Sequence, residues 1–336
     1  MTQPNPLLAA LTREGVLIHV SIRYWRGTKK LHAEDIGLDR EQLSERLIHL
    51  GHKRLLPKDA LQELAIVESR AHAMVESNTF PFLNGIGHFL PNARLAEVTQ
   101  RLKELESDFL GARDRFLSKY SALRDAASSE WRTLAMGLTT NPERLVSTIE
   151  ASFPLPRSML RFFRFDVQLF QVSIPDRVGL EIVTAAEQQE ISAVRERAAT
   201  EAAAKIRRDT EVFVQDCIAS MREQTARLCE EMLVSINSSE TGVHQKTLNR
   251  LVRFIDQFRA MNFANDAVMQ KTLDETRREL LSKTAEEYRD STYARSQLVA
   301  GLSKLRDTAT DLAKQNAAEI VQRFGSIGRR KFSLAA

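Results

Sequence analysis

Three histidines come closest to a metal site in this sequence. His49 and His52 lie three positions apart, and His32 precedes them. Imidazole nitrogens are common zinc ligands, but a zinc site needs three or four ligands held in a tetrahedral arrangement. Gly51 separates the pair where the pattern predicts a helix end, and the sequence fixes no cysteine or acidic partner beside it. We therefore expect a capping or surface role for these histidines, and we expect no metal or other cofactor.

The two cysteines fall within one predicted helix and cannot bond to each other there. Cys217 and Cys229 are twelve positions apart, which is about 18 Å along a helix. A disulfide needs Cα atoms within about 7 Å, and free thiols in a helix core suit a reducing compartment. The start of the chain lacks the features of a signal peptide, and no apolar run approaches the length of a membrane span. The sequence therefore predicts a cytoplasmic protein without a membrane span.

No sequence motif of a known catalytic site stands out in this chain. The glycine-rich loop with its lysine that cradles nucleotide phosphates is absent, as are the G-x-S-x-G, H-E-x-x-H and C-x-x-C patterns. Gly85 and Gly87 begin a G-x-G pattern, but the third glycine of a dinucleotide-binding loop is missing. We therefore expect a protein that is not an enzyme.

Arginines alternate with phenylalanines in a proline-rich segment from Phe153 to Pro175. Arginine beside aromatic rings can stack on nucleic-acid bases or contact an acidic partner surface. The plainer alternative, which the sequence favours, is that the phenylalanines fill a core and the arginines extend into solvent. A membrane-inserting tongue is a third interpretation, but the charged residues of the segment argue against insertion. The candidate nucleic-acid contacts here are Arg157, Arg161 and Arg164, which alternate with Phe162, Phe163 and Phe165.

A second basic cluster lies near the C-terminal end of the sequence, where Arg323 is followed by Arg329, Arg330 and Lys331. The last three are the candidate nucleic-acid contacts of this tail. So few charges would make only weak, salt-sensitive contact with phosphates. Elsewhere charges of both signs are interleaved, and the formal net charge is only +4. Nucleic acid is therefore not the expected partner.

The composition predicts a mainly helical protein. Hydrophobic residues make up 43% of the 336 residues, which is enough for a core, whereas there are only 13 Gly and 9 Pro. The abundant Ala, Leu, Glu, Arg and Gln side chains lose little freedom in a helix. An all-β fold would need more turns, and thus more glycine and proline.

Hydrophobic periodicity places strands and helices in the N-terminal half. The run from Gly15 to Trp25 is β-branched and aromatic and predicts a strand. Asn141 before Pro142 has the order of a cap and a first-turn proline at a helix start. Alternating apolar residues predict a strand over Asp166 to Ile174, which we expect to pair with the N-terminal strand or with the irregular Phe80 to Pro91 segment. The other predicted helices run from Asp39 to Gly51, from Pro57 to Ser77 and from Ala93 to Met136.

After residue 183 the chain is predicted to be almost entirely helical. Residues Thr184 to Ile236 contain no Pro or Gly and keep an apolar stripe at helical spacing. Within the stripe Val212 and Val214 flank Phe213, so the apolar face widens there, and these three residues are candidate partner contacts. Further predicted elements are a hairpin from Asn237 to Gly242, a helix from Val243 to Met261, and a final helical stretch from Asp266 to Phe324 that bends near Gly301.

The expected fold class is mainly α, with long antiparallel helices forming a coiled-coil-like stalk or bundle and a small β-containing head. Four consecutive segments are expected. They are residues 1–90, a strand plus helices in the head; 91–183, a long helix and the Phe-rich segment with β structure; 184–324, a long helical hairpin or bundle; and 325–336, a mobile basic tail.

Two phrases of the sequence and its helical C-terminal half resemble a bacterial family known as domain of unknown function 3150. The phrases are EGVLIHVSIRYWRGTKKL, from Glu14 to Leu31, and FLNGIGHFLP, from Phe82 to Pro91. Such families are often encoded beside MoxR-type AAA+ ATPases and von Willebrand A-domain proteins. The resemblance therefore implies an accessory role to an ATPase, and it implies no catalytic residues.

The sequence as a whole favours a non-enzymatic helical adaptor or partner protein that works with a MoxR-type AAA+ ATPase system. Its expected partner is the ATPase, a von Willebrand A-domain protein, or both, and a homo-oligomer stays open. The alternatives are a nucleic-acid-associated accessory protein and, less favoured, an α-helical pore-forming protein.

Overall fold

The computed structural model describes residues 6–36, 50–82, 87–139, 141–171, 185–238, 242–315 and 317–329. Within these ranges the chain is mainly helical and has a small antiparallel sheet, as the sequence predicts. The helices are α1 (Pro6–Glu14), α2 (Gln62–Asn78), α3 (Asn92–Leu138), α4 (Pro142–Ser152), α5 (Ala185–Ser238), α6 (Gln245–Met261), α7 (Ala267–Leu280), α8 (Ala285–Asp290), α9 (Thr292–Lys314) and α10 (Ala318–Arg329). The strands are β1 (Gly15–Arg23), β2 (Thr28–Lys30), β3 (His52–Arg54), β4 (Phe80–Phe82), β5 (Gly87–Pro91) and β6 (Arg164–Phe170).

Most of the predicted elements are confirmed. The long apolar stripes correspond to α3 and α5, which are continuous over 47 and 54 residues. Asn141 caps α4, because its side chain accepts a hydrogen bond of 3.2 Å from the Arg144 N–H. The irregular Phe80 to Pro91 segment contains β4 and β5. The helix predicted from Asp39 to Gly51 falls almost wholly in residues 37–49, outside the described residues.

The larger sheet has the strand order β4-β5-β1-β6, so β6 lies beside the N-terminal strand as expected. β1 and β5 are antiparallel, with a register that runs from Gly15 opposite Pro91 to Ile18 opposite His88. A side chain at Gly15 would collide with the Leu90 carbonyl oxygen and the Phe89 ring, so this close approach of strands needs glycine. β2 and β3 form a separate antiparallel pair.

The chain divides into two compact units, each assembled from segments that are separated in the sequence. Unit 1 comprises Met1–Ile18, Asn78–Ala96 and Leu169–Ala336, and unit 2 comprises His19–Ser77 and Glu97–Gln168. In unit 1, α5 packs along α9 and α1 packs on α10. In unit 2, the buried face of α3 from Glu97 onward forms the core with Trp25 and Phe153.

The prediction of one helical stretch from Asp266 to Phe324 with a bend near Gly301 is wrong. The stretch contains four helices, α7 to α10. Thr284 starts α8 with a reciprocal capping box to Glu287, and Ser291 caps α9 through the Ala294 N–H. Gly301 lies within the continuous helix α9, where a Cβ would collide with the Leu280 side chain. The glycine therefore serves close helix packing and not a bend.

A buried ion pair joins three helices of unit 1. The Arg222 Nε on α5 donates to the Asp266 Oδ2 at 2.6 Å, and its Nη1 donates to the Leu312 carbonyl oxygen on α9 at 2.6 Å. Both charged side chains are only 4% exposed. Asp266 also caps α7 by accepting a hydrogen bond from the Met269 N–H at 3.2 Å. Each polar group of this joint therefore has a partner.

No helix among the described residues combines the length and the apolar character that crossing a lipid bilayer requires.

Candidate functional site

The turn that follows α4 is anchored to α3 in unit 2. Phe153 ends α4 in an extended conformation, and a short 3₁₀ helix, Pro156–Phe162, begins with a proline in its first turn. The Tyr120 hydroxyl on α3 donates a hydrogen bond of 2.7 Å to the Pro154 carbonyl oxygen. Burial raises the pKa of Tyr120 to about 12, so the hydroxyl stays protonated as a donor.

Three phenylalanines of this segment point into the core of unit 2. Phe153, Phe163 and Phe165 are buried, and Met159 is fully buried between them in the sequence. Their ring centroids lie 6.1 Å from Trp25, 5.8 Å from Phe116 and 5.8 Å from Phe109, respectively. In this conformation these rings stabilise unit 2 and are not available to insert into a membrane. Residues 172–175 of the proposed tongue lie outside the described residues.

The opposite face of the same turn combines exposed leucines and arginines. Leu155 and Leu160 are 52% and 56% exposed. Arg157, which lies between the two leucines in the sequence, and Arg161, which follows Leu160, are also exposed. Neither arginine forms an ion pair with a carboxylate of the described residues. The Arg161 guanidinium lies 5.0 Å from the centroid of the neighbouring Phe162 ring. We call these four residues, Leu155, Arg157, Leu160 and Arg161, the Leu–Arg turn.

Arg164, the third arginine predicted for this cluster, has a different environment. It begins β6, and its Nη2 lies 3.1 Å from the Asp166 Oδ2. The side chain is 60% exposed, so this ion pair contributes little to stability, but the carboxylate offsets the positive charge. Arg157 and Arg161 therefore both lie in the short 3₁₀ helix without a carboxylate partner among the described residues, whereas Arg164 lies on β6 and is paired with Asp166.

The basic residues of the tail are only partly within the described residues. Arg323 is exposed on α10, and Arg329 is the last residue of that helix. The helix thus includes the first residues of the tail that the sequence predicted to be mobile. Arg330 and Lys331 lie outside the described residues.

The three candidate partner contacts on α5 differ sharply in burial. Val212 is 53% exposed, whereas Phe213 is 7% exposed and Val214 is fully buried in unit 1. The Phe213 ring packs edge-on against Phe82, at a centroid distance of 4.7 Å, and against Phe89 at 5.8 Å. The wide apolar face at this position therefore packs within unit 1, and only Val212 of the three is accessible to a partner.

The two cysteine thiols are buried and unreactive. Both cysteines are free and buried in α5. Burial raises the pKa of the Cys217 thiol well above its ordinary value and that of Cys229 to about 12. The thiolate is the reactive form, so both side chains behave as apolar core residues at neutral pH. Among the described residues, no group of three or more His, Cys, Asp or Glu side chains is arranged to hold a metal ion.

A second charged cluster in unit 2 is internally paired. The Arg26 guanidinium donates two hydrogen bonds to the Glu68 carboxylate, at 2.7 and 2.5 Å, and the Tyr24 hydroxyl donates to the same carboxylate at 3.1 Å. The hydrogen bonds from Arg26 lower the pKa of Glu68, and burial followed by the charge of Glu68 raises the pKa of Tyr24 to about 12. Because the donors and the carboxylate satisfy one another, we interpret this cluster as structural.

Sequence reasoning found the arginines of the Leu–Arg turn but missed its leucines. The segment contains many apolar residues, and their spacing in an irregular turn does not indicate which ones face solvent. The available signal was the pair Pro154 and Pro156, which rules out a regular helix here. Without a regular helix, the apolar face of the segment cannot be read from periodicity.

The family model described as protein of unknown function (DUF3150) matches residues 12–307, which is most of the chain. The match includes all of unit 2 with the Leu–Arg turn and part of unit 1. No curated protein and no solved structure matches the chain.

Proposed function

Because the chain belongs to the family of proteins of unknown function DUF3150, we propose that it is a non-enzymatic partner protein of a MoxR-type AAA+ ATPase. The observation that supports this function best is the Leu–Arg turn, where two exposed leucines and two exposed arginines without a carboxylate partner among the described residues lie on a turn anchored by Tyr120. Arginine is enriched at protein interfaces, and apolar side chains at their centre supply the area that is removed from water.

The rigidity of the turn favours a binding role. A partner that binds a loose loop must order its backbone, and this costs about 1–2 kcal/mol for each residue. In the Leu–Arg turn the backbone is restrained by Pro156 and by the hydrogen bond from Tyr120 to Pro154. Binding energy from the exposed side chains is therefore available for affinity.

We further propose that α5 and α9 of unit 1 form an antiparallel, coiled-coil-like stalk. Contacts between the two helices join Arg295 to the Ile236 carbonyl oxygen, Arg306 to Glu230, and Arg222 to the Leu312 carbonyl oxygen. Residue numbers rise along one helix as they fall along the other, which supports the antiparallel order. A helix of 54 residues is about 81 Å long. Small-angle scattering should then give a maximum dimension of at least about 80 Å, and a clearly smaller value would contradict a continuous α5.

The partnership can be tested directly with purified proteins. The tagged chain is purified from the cytoplasmic fraction of its host, where we expect to find it, and is mixed with the separately purified MoxR-type ATPase of that host. We expect the two proteins to co-elute on size exclusion. Independent elution at micromolar concentrations, with and without ATP, would contradict the proposed partnership.

The non-enzymatic character has its own test. The isolated chain should hydrolyse no ATP, because its sequence has no phosphate-binding glycine loop with a lysine. ATP turnover that survives purification and disappears on a single substitution in this chain would show that it is an enzyme.

A further inference from the structure

We infer that the Leu–Arg turn binds an acidic, apolar segment of the protein partner, with carboxylates facing Arg157 and Arg161 and apolar side chains covering Leu155 and Leu160. The inference rests on the proposed function and adds the chemistry of the partner segment. It commits to a protein occupant rather than to a membrane surface or a nucleic acid.

Charge complementarity indicates the acidic character of the occupant. Within the described residues Arg157 and Arg161 have no carboxylate partner, whereas Arg164 of the same segment is paired with Asp166. A guanidinium group donates parallel hydrogen bonds to a carboxylate, and this geometry gives specificity as well as energy. Such pairs strengthen when neighbouring apolar groups exclude water. Leu155 and Leu160, which are more than half exposed, provide those apolar neighbours once they are covered.

The small apolar area argues against a membrane surface as the occupant. A single myristoyl chain, with its full length in the bilayer, gives only marginal membrane binding with an association constant of about 10⁴ M⁻¹. The two leucines of the turn are already about half buried in unit 2 and would add less apolar surface to a bilayer than that chain. Two arginines would add only weak attraction to anionic lipids. A protein segment can instead cover the leucines and pair the arginines at the same time.

The limited positive charge argues against nucleic acid. Arg157 and Arg161 can neutralise about two phosphates, and the affinity from so few contacts falls quickly with salt. The aromatic rings that could stack on bases are largely turned inward, since Phe163 and Phe165 are buried. The Phe162 ring on this turn is half-buried, and the Arg161 guanidinium already lies over it.

The test uses two fluorescein-labelled helical peptides with the same leucine pattern, one with glutamate and one with lysine at its polar positions. Binding is measured by fluorescence anisotropy to the full chain, to the charge-reversal variant R157E/R161E and to the variant L155S/L160S. The matched controls are R207E/R208E, which changes two exposed arginines of α5 that have no carboxylate partner among the described residues, and L134S/L138S, which changes two leucines that are 47% and 51% exposed. Urea unfolding of each variant confirms that it is folded.

We expect the glutamate peptide to bind the wild type and to lose about tenfold or more in affinity with either turn variant, because like charges or lost apolar cover oppose docking. The control variants should stay within about twofold of the wild type. The lysine peptide should prefer R157E/R161E over the wild type. Equal binding of the glutamate peptide to wild type and turn variants would overturn the inference. So would tighter binding of phosphatidylserine vesicles or duplex DNA through the same residues.

The same variants separate this inference from the proposed function. If the wild type and both turn variants co-elute equally with the ATPase, the docking surface is wrong and the partnership stands. If the wild type ignores the ATPase but the peptides behave as expected, the partnership is wrong and the binding chemistry of the turn stands.

Discussion

Arginine has opposite roles in the two units. In unit 1, Arg222 is 4% exposed and links α5 to Asp266 and to the end of α9 through two hydrogen bonds of 2.6 Å. In unit 2, Arg157 and Arg161 are exposed on a turn whose backbone is fixed by other residues. A buried guanidinium without partners would be too costly to keep, whereas an exposed one is stable without them. Burial and pairing, rather than residue type, therefore separate an arginine that holds the fold from one that is available to a partner.

Arg222→Met is expected to cause one of the two largest losses of stability. The methionine keeps a long apolar side chain, but Asp266 remains as a buried charge and the Leu312 carbonyl loses its donor. Removing one partner of a buried ion pair typically costs about 3–5 kcal/mol. We expect a loss of that size in the free energy of unfolding, measured by urea denaturation.

A second substitution tests whether the unpaired charge of Asp266 causes this loss of stability. Adding Asp266→Asn to the methionine variant removes the unpaired charge and keeps a side chain that can cap α7. The double variant should therefore recover part of the lost stability. If Arg222→Met were as stable as the wild type, buried Arg222 would not differ from the exposed arginines of the Leu–Arg turn in its contribution to stability.

Phe213 and its neighbour Val212 extend the comparison of buried and exposed side chains to apolar residues. Phe213→Ala should cost about 3–5 kcal/mol, since the ring is buried and packs edge-on against Phe82 and Phe89. Val212→Ala should change stability by less than about 0.5 kcal/mol, because this side chain is 53% exposed. Thermal unfolding of both variants gives the comparison. Similar losses for both would mean that α5 is rotated relative to its position here.

Tyr120→Phe tests the support beneath the Leu–Arg turn. The variant keeps the ring in the core but removes the hydrogen bond to the Pro154 carbonyl oxygen. We expect a loss of about 1 kcal/mol in unfolding free energy, together with weaker peptide binding because the turn is less ordered. Unchanged binding with reduced stability would show that the turn does not depend on this anchor.

The same tyrosine makes the stability of the fold depend on pH in the alkaline range. Its pKa is raised from 10.0 to about 12 by burial, so the folded state holds the proton more tightly than the unfolded state does. This contribution is complete below pH 10 and is lost as the pH rises to about 12. Urea unfolding across that window should show a shallower decline for Tyr120→Phe than for the wild type. The decline should not vanish, because the pKa of Tyr24 is also raised to about 12.

Arg157→Met is expected to have as small an effect on stability as Val212→Ala. The side chain is exposed and has no carboxylate partner among the described residues, so the change should be within about 0.5 kcal/mol. It should nevertheless weaken binding of the glutamate peptide. A loss comparable to that of Arg222→Met would show that the turn is a structural joint.

The long helices were predictable because their signal is local and repeated. Apolar residues at helical spacing specify α3 and α5 over many turns, and no Pro or Gly interrupts the second of them. The breaks between α7, α8 and α9 were missed although their caps are visible in the sequence as Thr284 with Glu287 and as Ser291. At these points capping competes with an apolar stripe that continues across the break, and capping wins.

The joint at Arg222 and the exposed leucines of the turn could not be predicted in the same way. Arg222 and Asp266 are 44 residues apart in sequence, and nothing in their local context marks them as partners. Leu155 and Leu160 are exposed because the neighbouring Met159, Phe153 and Phe163 already occupy the core. Which of several apolar residues is left outside is decided by packing in three dimensions, which periodicity does not encode in an irregular turn.

Site-specific photocrosslinking tests the docking surface most directly. A benzoylphenylalanine replaces Leu160 in the Leu–Arg turn or, as the matched control, Leu138, which is also about half exposed and lies in unit 2. After irradiation in the host cell, adducts are identified by mass spectrometry. The account predicts an adduct of the position-160 variant with the MoxR-type ATPase, through an acidic, apolar segment, and none at position 138. No adduct at position 160, or the same adducts at both positions, would contradict it.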